Sequence, residues 1–207
     1  MVIREWLSKC PLIAILRGIQ PHEVEDVFSG LLAAGVTIAE IPLNSPEPMK
    51  SIRKATELYG TKMLIGAGTV TRAAEVEQVR DAGAKLVVSP CAETEIVHEA
   101  KRHKMLVIPG VATATEAIRM VHAGADALKL FPADVLGIRT MTSLRAILPR
   151  GTLMVPVGGV DAHTLTAWRE AGANGYGVGS AFYKPGASGR EVSAKAKRMI
   201  EVLTAGA

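Results

Sequence analysis

Eight short apolar runs alternate with eight amphipathic stretches along nearly the whole chain, and this alternation limits the folds open to it. The runs are Leu12–Leu16, Ile38–Leu43, Met63–Ala67, Leu86–Ser89, Leu106–Pro109, Ala127–Phe131, Met154–Val157 and Gly175–Gly179. Strands that are apolar on both faces belong to a parallel sheet covered by helices. The stretches between them carry apolar residues near i, i+3 and i+4, the period of an amphipathic helix. They cover about residues 21–34, 47–59, 73–82, 93–103, 115–123, 139–148, 163–171 and 190–203. Pro21 suits a first helical turn, and Glu23 and Glu25 suit its dipole.

The junctions repeat. Ala34-Gly35-Val36, Ala82-Gly83-Ala84, Ala123-Gly124-Ala125 and Ala171-Gly172-Ala173 each close a helix just before a strand. Glycine past the last helical residue takes the left-handed cap without steric cost. Eight such units in 207 residues predict an α/β fold, a compact (β/α)8 TIM barrel forming one domain over residues 1–207. Residues 1–9 read as a short lead-in helix capping the barrel bottom. An open doubly wound sheet is the competing architecture, but no Gly-x-Gly-x-x-Gly turn follows the first strand.

Composition removes several function classes. No run of about 18 apolar residues exists to cross a membrane. The start, Met1-Val2-Ile3-Arg4-Glu5-Trp6, lacks the basic-then-apolar pattern of a secretory leader. Cys10 and Cys91 have no metal-type spacing and read as reduced thiols, so a cytoplasmic protein is expected. The net charge of +4 comes from dispersed Lys and Arg with only 4% aromatics, a poor nucleic-acid footprint.

Two residues break the apolar pattern. Lys129 lies in Ala127-Leu128-Lys129-Leu130-Phe131-Pro132, and Glu40 lies in Ala39-Glu40-Ile41-Pro42. Burial disfavours the charged form of both and lowers a lysine pKa. A neutral lysine is a nucleophile and forms Schiff bases with carbonyl compounds. A structural ion pair is the competing reading, although such a pair gains little stability once desolvation is counted. In a barrel of this kind the active site gathers at the C-terminal strand ends. Those ends here present Arg17, Thr69, Ser89-Pro90, Gly158-Gly159 and Gly179-Ser180. Arg17 can clamp a carboxylate or phosphate with two hydrogen bonds. The glycines let backbone N–H groups approach an anion, the Ser180 hydroxyl adds a donor, and the following helix start adds a dipole. Phe131 is expected to pack beside Lys129 and keep it dry. The five histidines, His22, His98, His103, His122 and His163, fall in helical stretches without metal-ligand spacing. No histidine occupies a strand end to activate Cys91.

The segments Ile13-Ala14-Ile15-Leu16-Arg17-Gly18-Ile19, Glu40-Ile41-Pro42-Leu43-Asn44-Ser45-Pro46, Ile65-Gly66-Ala67-Gly68-Thr69-Val70, Leu128-Lys129-Leu130-Phe131-Pro132 and Pro156-Val157-Gly158-Gly159-Val160 resemble the 2-keto-3-deoxy-6-phosphogluconate/phosphogalactonate aldolases. The resemblance runs nearly the whole chain. It implies a class I lyase that uses no metal and no cofactor. Lys129 would form a Schiff base with the keto acid and Glu40 would move protons. Thr69 would orient the pyruvyl end, and Gly158, Gly159, Gly179 and Ser180 would bind the phosphate. The implied partners are a phosphorylated keto-deoxy sugar acid, pyruvate and glyceraldehyde 3-phosphate, with neither nucleic acid nor membrane. The family is typically homotrimeric. Phosphogluconate members often carry Thr-Leu-Arg-Thr after the strand-two glutamate, where this chain has Pro42-Leu43-Asn44-Ser45. Asn44 thus replaces their carboxylate-holding arginine, which favours the galactonate branch over the gluconate one and leaves Arg17 to supply the anion contact. Two rivals are another phosphosugar enzyme on the same barrel and a non-catalytic phosphate-ligand sensor.

Overall fold

The computed structural model describes residues 2–205. Within them α1 (Ile3–Lys9) leads into β1 (Leu12–Ile15), α2 (Val24–Ala33), β2 (Ile38–Pro42), α3 (Pro48–Tyr59) and β3 (Leu64–Gly68). Next come α4 (Ala73–Asp81), β4 (Leu86–Val88), α5 (Thr94–Arg102), β5 (Leu106–Ile108), β6 (Gly110–Val111) and α6 (Ala114–His122). The chain closes with β7 (Leu128–Leu130), α7 (Ala133–Ile147), β8 (Met154–Pro156), α8 (Leu165–Glu170), β9 (Tyr176–Val178) and α9 (Gly189–Thr204). No helix among the described residues is long and apolar enough to cross a membrane.

All strand pairs are parallel. Six strands form one sheet in the order β5-β4-β3-β2-β1-β9, and three form another in the order β6-β7-β8. The fifth strand, expected over Leu106–Pro109, ends at Ile108, and a further two-residue strand, β6, follows Pro109. Pro109 has no N–H to donate to a ladder, and the chain changes partners there. Residues before it pair with β4, and residues after it pair with β7. A single parallel bridge, Val157 to Gly177, links the far ends of the two sheets.

Side chains alternate across a strand with period two, and this sorts the core into two layers. Ile13, Ile15, Ile38, Leu64, Leu86, Val88, Leu106, Ile108, Val155 and Val157 form one buried cluster on the inner faces of the sheets. Their intervening neighbours, such as Leu12, Ala14, Ala39, Ile41, Ile65, Val87 and Leu128, pack outward against the helices. Each fully buried aliphatic contributes about 1.5–3 kcal/mol. Ile3 and Leu7 of α1 join the inner cluster, so this helix covers the N-terminal ends of the strands. The four junction glycines, Gly35, Gly83, Gly124 and Gly172, have φ of 89°, 93°, 94° and 88°. One cap geometry therefore recurs at all four.

Some boundaries differ from the sequence reading. The α7 helix starts at Ala133 rather than Arg139, with a break at Gly137 (φ 73°, ψ 170°) that masks its period. Pro21 and His22 lie in a turn ahead of α2, His163 lies in a turn ahead of α8, and His103 caps α5. Only His98 and His122 sit within helices.

Candidate active site

Period two places Glu40 on the same strand face as Ile38, and Lys129 on the same face as Ala127 and Phe131. Both charged residues therefore point into the inner layer. Glu40 is 2% exposed and Lys129 is 5% exposed. They arrive from different sheets. Glu40 lies between Ile15 of β1 and Gly66 of β3, and Lys129 lies between Gly110 of β6 and Val155 of β8.

Their chemistry follows from that placement. Burial pulls the Lys129 ammonium below its usual range; Glu40 opposes the shift and Arg17 adds to it. Burial pushes the Glu40 carboxyl up to about 7, against the pull of Lys129 and Arg17. Both groups move toward neutrality, and no ion pair joins them. Glu40 Oε2 is buried and has no hydrogen-bond partner among the described residues. The Lys129 Nζ stands 4.5 Å from the centroid of the Phe131 ring. Burial thus moves the Lys129 amine toward its nucleophilic form, and the Glu40 carboxyl, whose charge acts on it, titrates near neutrality, where a carboxyl can both accept and donate a proton.

Arg17 follows β1 and is exposed. Its Nη1 donates to Asn44 Oδ1 at 2.5 Å and its Nη2 to Thr69 Oγ1 at a longer 3.4 Å. Thr69 holds a left-handed backbone, φ 55°, at the end of β3. Such a conformation in a residue other than glycine costs of order 1–3 kcal/mol and is found where surrounding structure enforces it.

A cavity of about 390 Å³ opens beside this cluster. Gly177 in β9 and the flanking Gly175 and Gly179 carry no side chains, and the cavity reaches inward to Ile15, Val157 and Gly177. Its wall includes Arg17, Phe131, Gly158, Gly159, Gly179 and Ser180. Gly158 and Gly159 have φ of 113° and 64°, a conformation suited to glycine. The N–H groups of Gly159, Ser180 and Ala181 donate to no acceptor among the described residues.

Six of the ten site residues expected from sequence thus line one cavity. Lys129 and Glu40 lie in the interior beside it, joined to it through Phe131 and Arg17. Thr69 reaches it through Arg17. Pro90 stands apart, at the end of β4 with its carbonyl packed against Gly110. The expected helix dipole behind the glycines is not there. Residues 161–164 form a turn before the six-residue α8, and α9 begins only at Gly189, whose N–H is taken by Asp26 Oδ2 at 2.6 Å. The start of α7 packs against Gly158 instead, with Asp134 and the Ala133 N–H nearest.

Sequence reasoning missed Lys184, an exposed lysine on the cavity wall near Ser180. Its only sequence signal is its place in the turn-rich segment after the last strand. Asp161 on the same wall was missed as well.

Residues 3–197 match the family model described as KDPG and KHG aldolase. A protein of Rhizobium meliloti (strain 1021), named "Probable 2-dehydro-3-deoxy-6-phosphogalactonate aldolase", is 45% identical over 186 residues, covering 90% of this chain and 88% of that protein. The 2-dehydro-3-deoxy-6-phosphogalactonate aldolase of Escherichia coli (strain K12) is 41% identical over 197 residues, covering 95% and 96%. A solved structure described as "Native KDPGal structure" superposes with a TM-score of 0.93 at 40% identity, over 95% of this chain and 96% of that one.

Proposed function

The chain belongs to the KDPG and KHG aldolase family, and from that premise we propose that it cleaves 2-dehydro-3-deoxy-6-phosphogalactonate to pyruvate and D-glyceraldehyde 3-phosphate through a Schiff base on Lys129. The observation that carries this reading is a buried lysine, driven toward its neutral form, sharing an apolar interior with a carboxyl raised to about 7.

The neutral Lys129 amine adds to the C2 ketone, and loss of water with uptake of one proton from solvent leaves a protonated imine. Glu40 takes the proton of the C4 hydroxyl as the C3–C4 bond breaks. The electron pair of that bond flows into the imine and gives an enamine, and C4 departs as the aldehyde carbon. Glu40 returns its proton to C3, and hydrolysis of the imine releases pyruvate, the free amine and the proton taken up at the start. A carboxyl near neutrality suits this two-way traffic, since general acid–base efficiency peaks when the pKa lies near the working pH. Arg17 faces the carboxylate of the keto acid. The backbone N–H groups at Gly159 and Ser180, with the Ser180 hydroxyl, face the phosphate at the other end of the cavity. Phe131 shields the amine from water.

We read the two sheets as one closed (β/α)8 ring and the chain as one domain. The continuity of β5 into β6 across Pro109 and the Val157–Gly177 bridge support that reading. The free thiols of Cys10 and Cys91 suit a reducing cytoplasm. A homotrimer is the assembly expected of the family, and light scattering on the purified protein tests it.

The primary test is incubation with pyruvate and borohydride followed by peptide mapping. A reduced pyruvyl adduct on Lys129 supports the reading, and an unmodified Lys129 defeats it. Side-by-side turnover of the galactonate and gluconate epimers then assigns the substrate.

A further inference from the structure

Arg17 carries a long exposed side chain with many rotamers open to it, yet two neighbours hold its guanidinium in one place. Asn44 follows β2 and Thr69 follows β3, so the group is drawn from the end of β1 across the ends of the next two strands. It is held close enough to shift both Lys129 and Glu40. The backbone beneath is tied in parallel. The Gly18 N–H donates to Ser45 Oγ at 2.9 Å, and Ser45 is buried. The consecutive pairs Arg17-Gly18 and Asn44-Ser45 are therefore laced together. The Asn44 amide adds nothing to that backbone tie, and its oxygen serves the guanidinium alone.

We infer that Asn44 is a positioning residue whose amide oxygen aims the Arg17 guanidinium over the Lys129–Glu40 interior, leaving its other N–H donors for the carboxylate of the bound keto acid. A guanidinium has five N–H donors, so two bonds leave enough for a bidentate carboxylate. A neutral amide suits the task, because it orients the cation without cancelling its charge. An aspartate there would orient and neutralise it together. The inference rests on the Schiff-base reading above.

The test measures the pyruvate concentration that gives half-maximal borohydride trapping of Lys129, with KM and kcat alongside. It compares wild type, Asn44→Ala, Arg17→Ala and the double variant. Asn44 is exposed, so its truncation leaves the core untouched. Asn44→Ala is expected to raise the half-saturating pyruvate about 10-fold, the scale of a hydrogen bond to a charged group. It should raise KM more than it lowers kcat. In the Arg17→Ala background it should add nothing, because contacting residues that act as a unit are not additive. Wild-type trapping in Asn44→Ala, or a loss that adds fully to that of Arg17→Ala, overturns the inference while the Schiff base stands. Absence of any Lys129 adduct in the wild type overturns the parent reading, and this one with it.

Discussion

The Glu40 carboxyl fills the space that a side chain on Gly68 would need. A Cβ built on Gly68 falls inside the van der Waals envelope of Oε1, Oε2 and Cδ of Glu40. The two residues lie on adjacent strands, where Glu40 pairs with Gly66 and Pro42 with Gly68. The inner positions of β3 beside the acid are therefore both glycine. Gly68→Ala should displace the carboxyl. Turnover is expected to drop toward that of a variant without the acid, about 10²–10⁴-fold, and overpacking should cost roughly 1–3 kcal/mol of stability. Steady-state kinetics and urea unfolding check this. Wild-type turnover would show that the acid works from another position.

Lys129→Arg separates nucleophilicity from charge. Guanidinium stays protonated at any working pH and forms no Schiff base. Release of pyruvate, followed in a coupled dehydrogenase assay, should fall by several orders of magnitude, on the scale of the about 10⁶-fold losses that follow removal of a covalent nucleophile. Retention of even a tenth of the activity would exclude an imine at this residue.

Glu40→Gln should keep the fold and slow turnover by about 10²–10⁴-fold. In the wild type, kcat/KM should fall as pH drops below about 7, where the carboxyl holds its proton and cannot accept another. That limb should vanish from the residual activity of the glutamine variant. A limb that persists unchanged belongs to a different group.

The same carboxyl makes stability depend on pH. In the folded chain it keeps its proton up to about 7, against an ordinary value of 4.5. Between these two values the native state binds more protons than the unfolded state, so stability falls as pH rises from 4.5 to 7. The full shift amounts to about 3 kcal/mol. Glu40→Gln has no such charge to bury. Its stability relative to wild type should therefore grow by up to that amount between pH 4.5 and 7, then level off. Denaturant unfolding at pH 5 and pH 8 measures the gap. A constant gap would mean that Glu40 titrates normally.

Lys184 and Ser180 test the other end of the cavity. Lys184→Ala and Ser180→Ala should each raise KM for the phosphorylated substrate by about 10-fold, the weight of a hydrogen bond to a charged group. The pyruvate dependence of Lys129 trapping should stay constant, because pyruvate carries no phosphate. Equal effects on both ligands would move the phosphate away from this wall.

Local pattern determined much of this protein. The apolar period marked the strands and most of the helices, and the Ala-Gly junctions marked caps that share φ of 88–94°. Period two within a strand put Lys129 and Glu40 on inward-facing positions, since a neighbour two residues away shares its face. All of these depend on contacts within a few residues, so they can be read along the chain. Where the two buried groups meet does not depend on such contacts. Lys129 and Glu40 belong to different sheets, and only the curvature and register of both bring them into one interior without pairing them. The partner change at Pro109, the start of α7 against Gly158, the reach of Lys184 to the cavity wall and the hold of Asn44 on Arg17 are likewise contacts between distant segments. Sequence limits which side chains can face inward; the packed fold decides which of them meet, because that is set by the sum of many long-range contacts and not by any one stretch of chain.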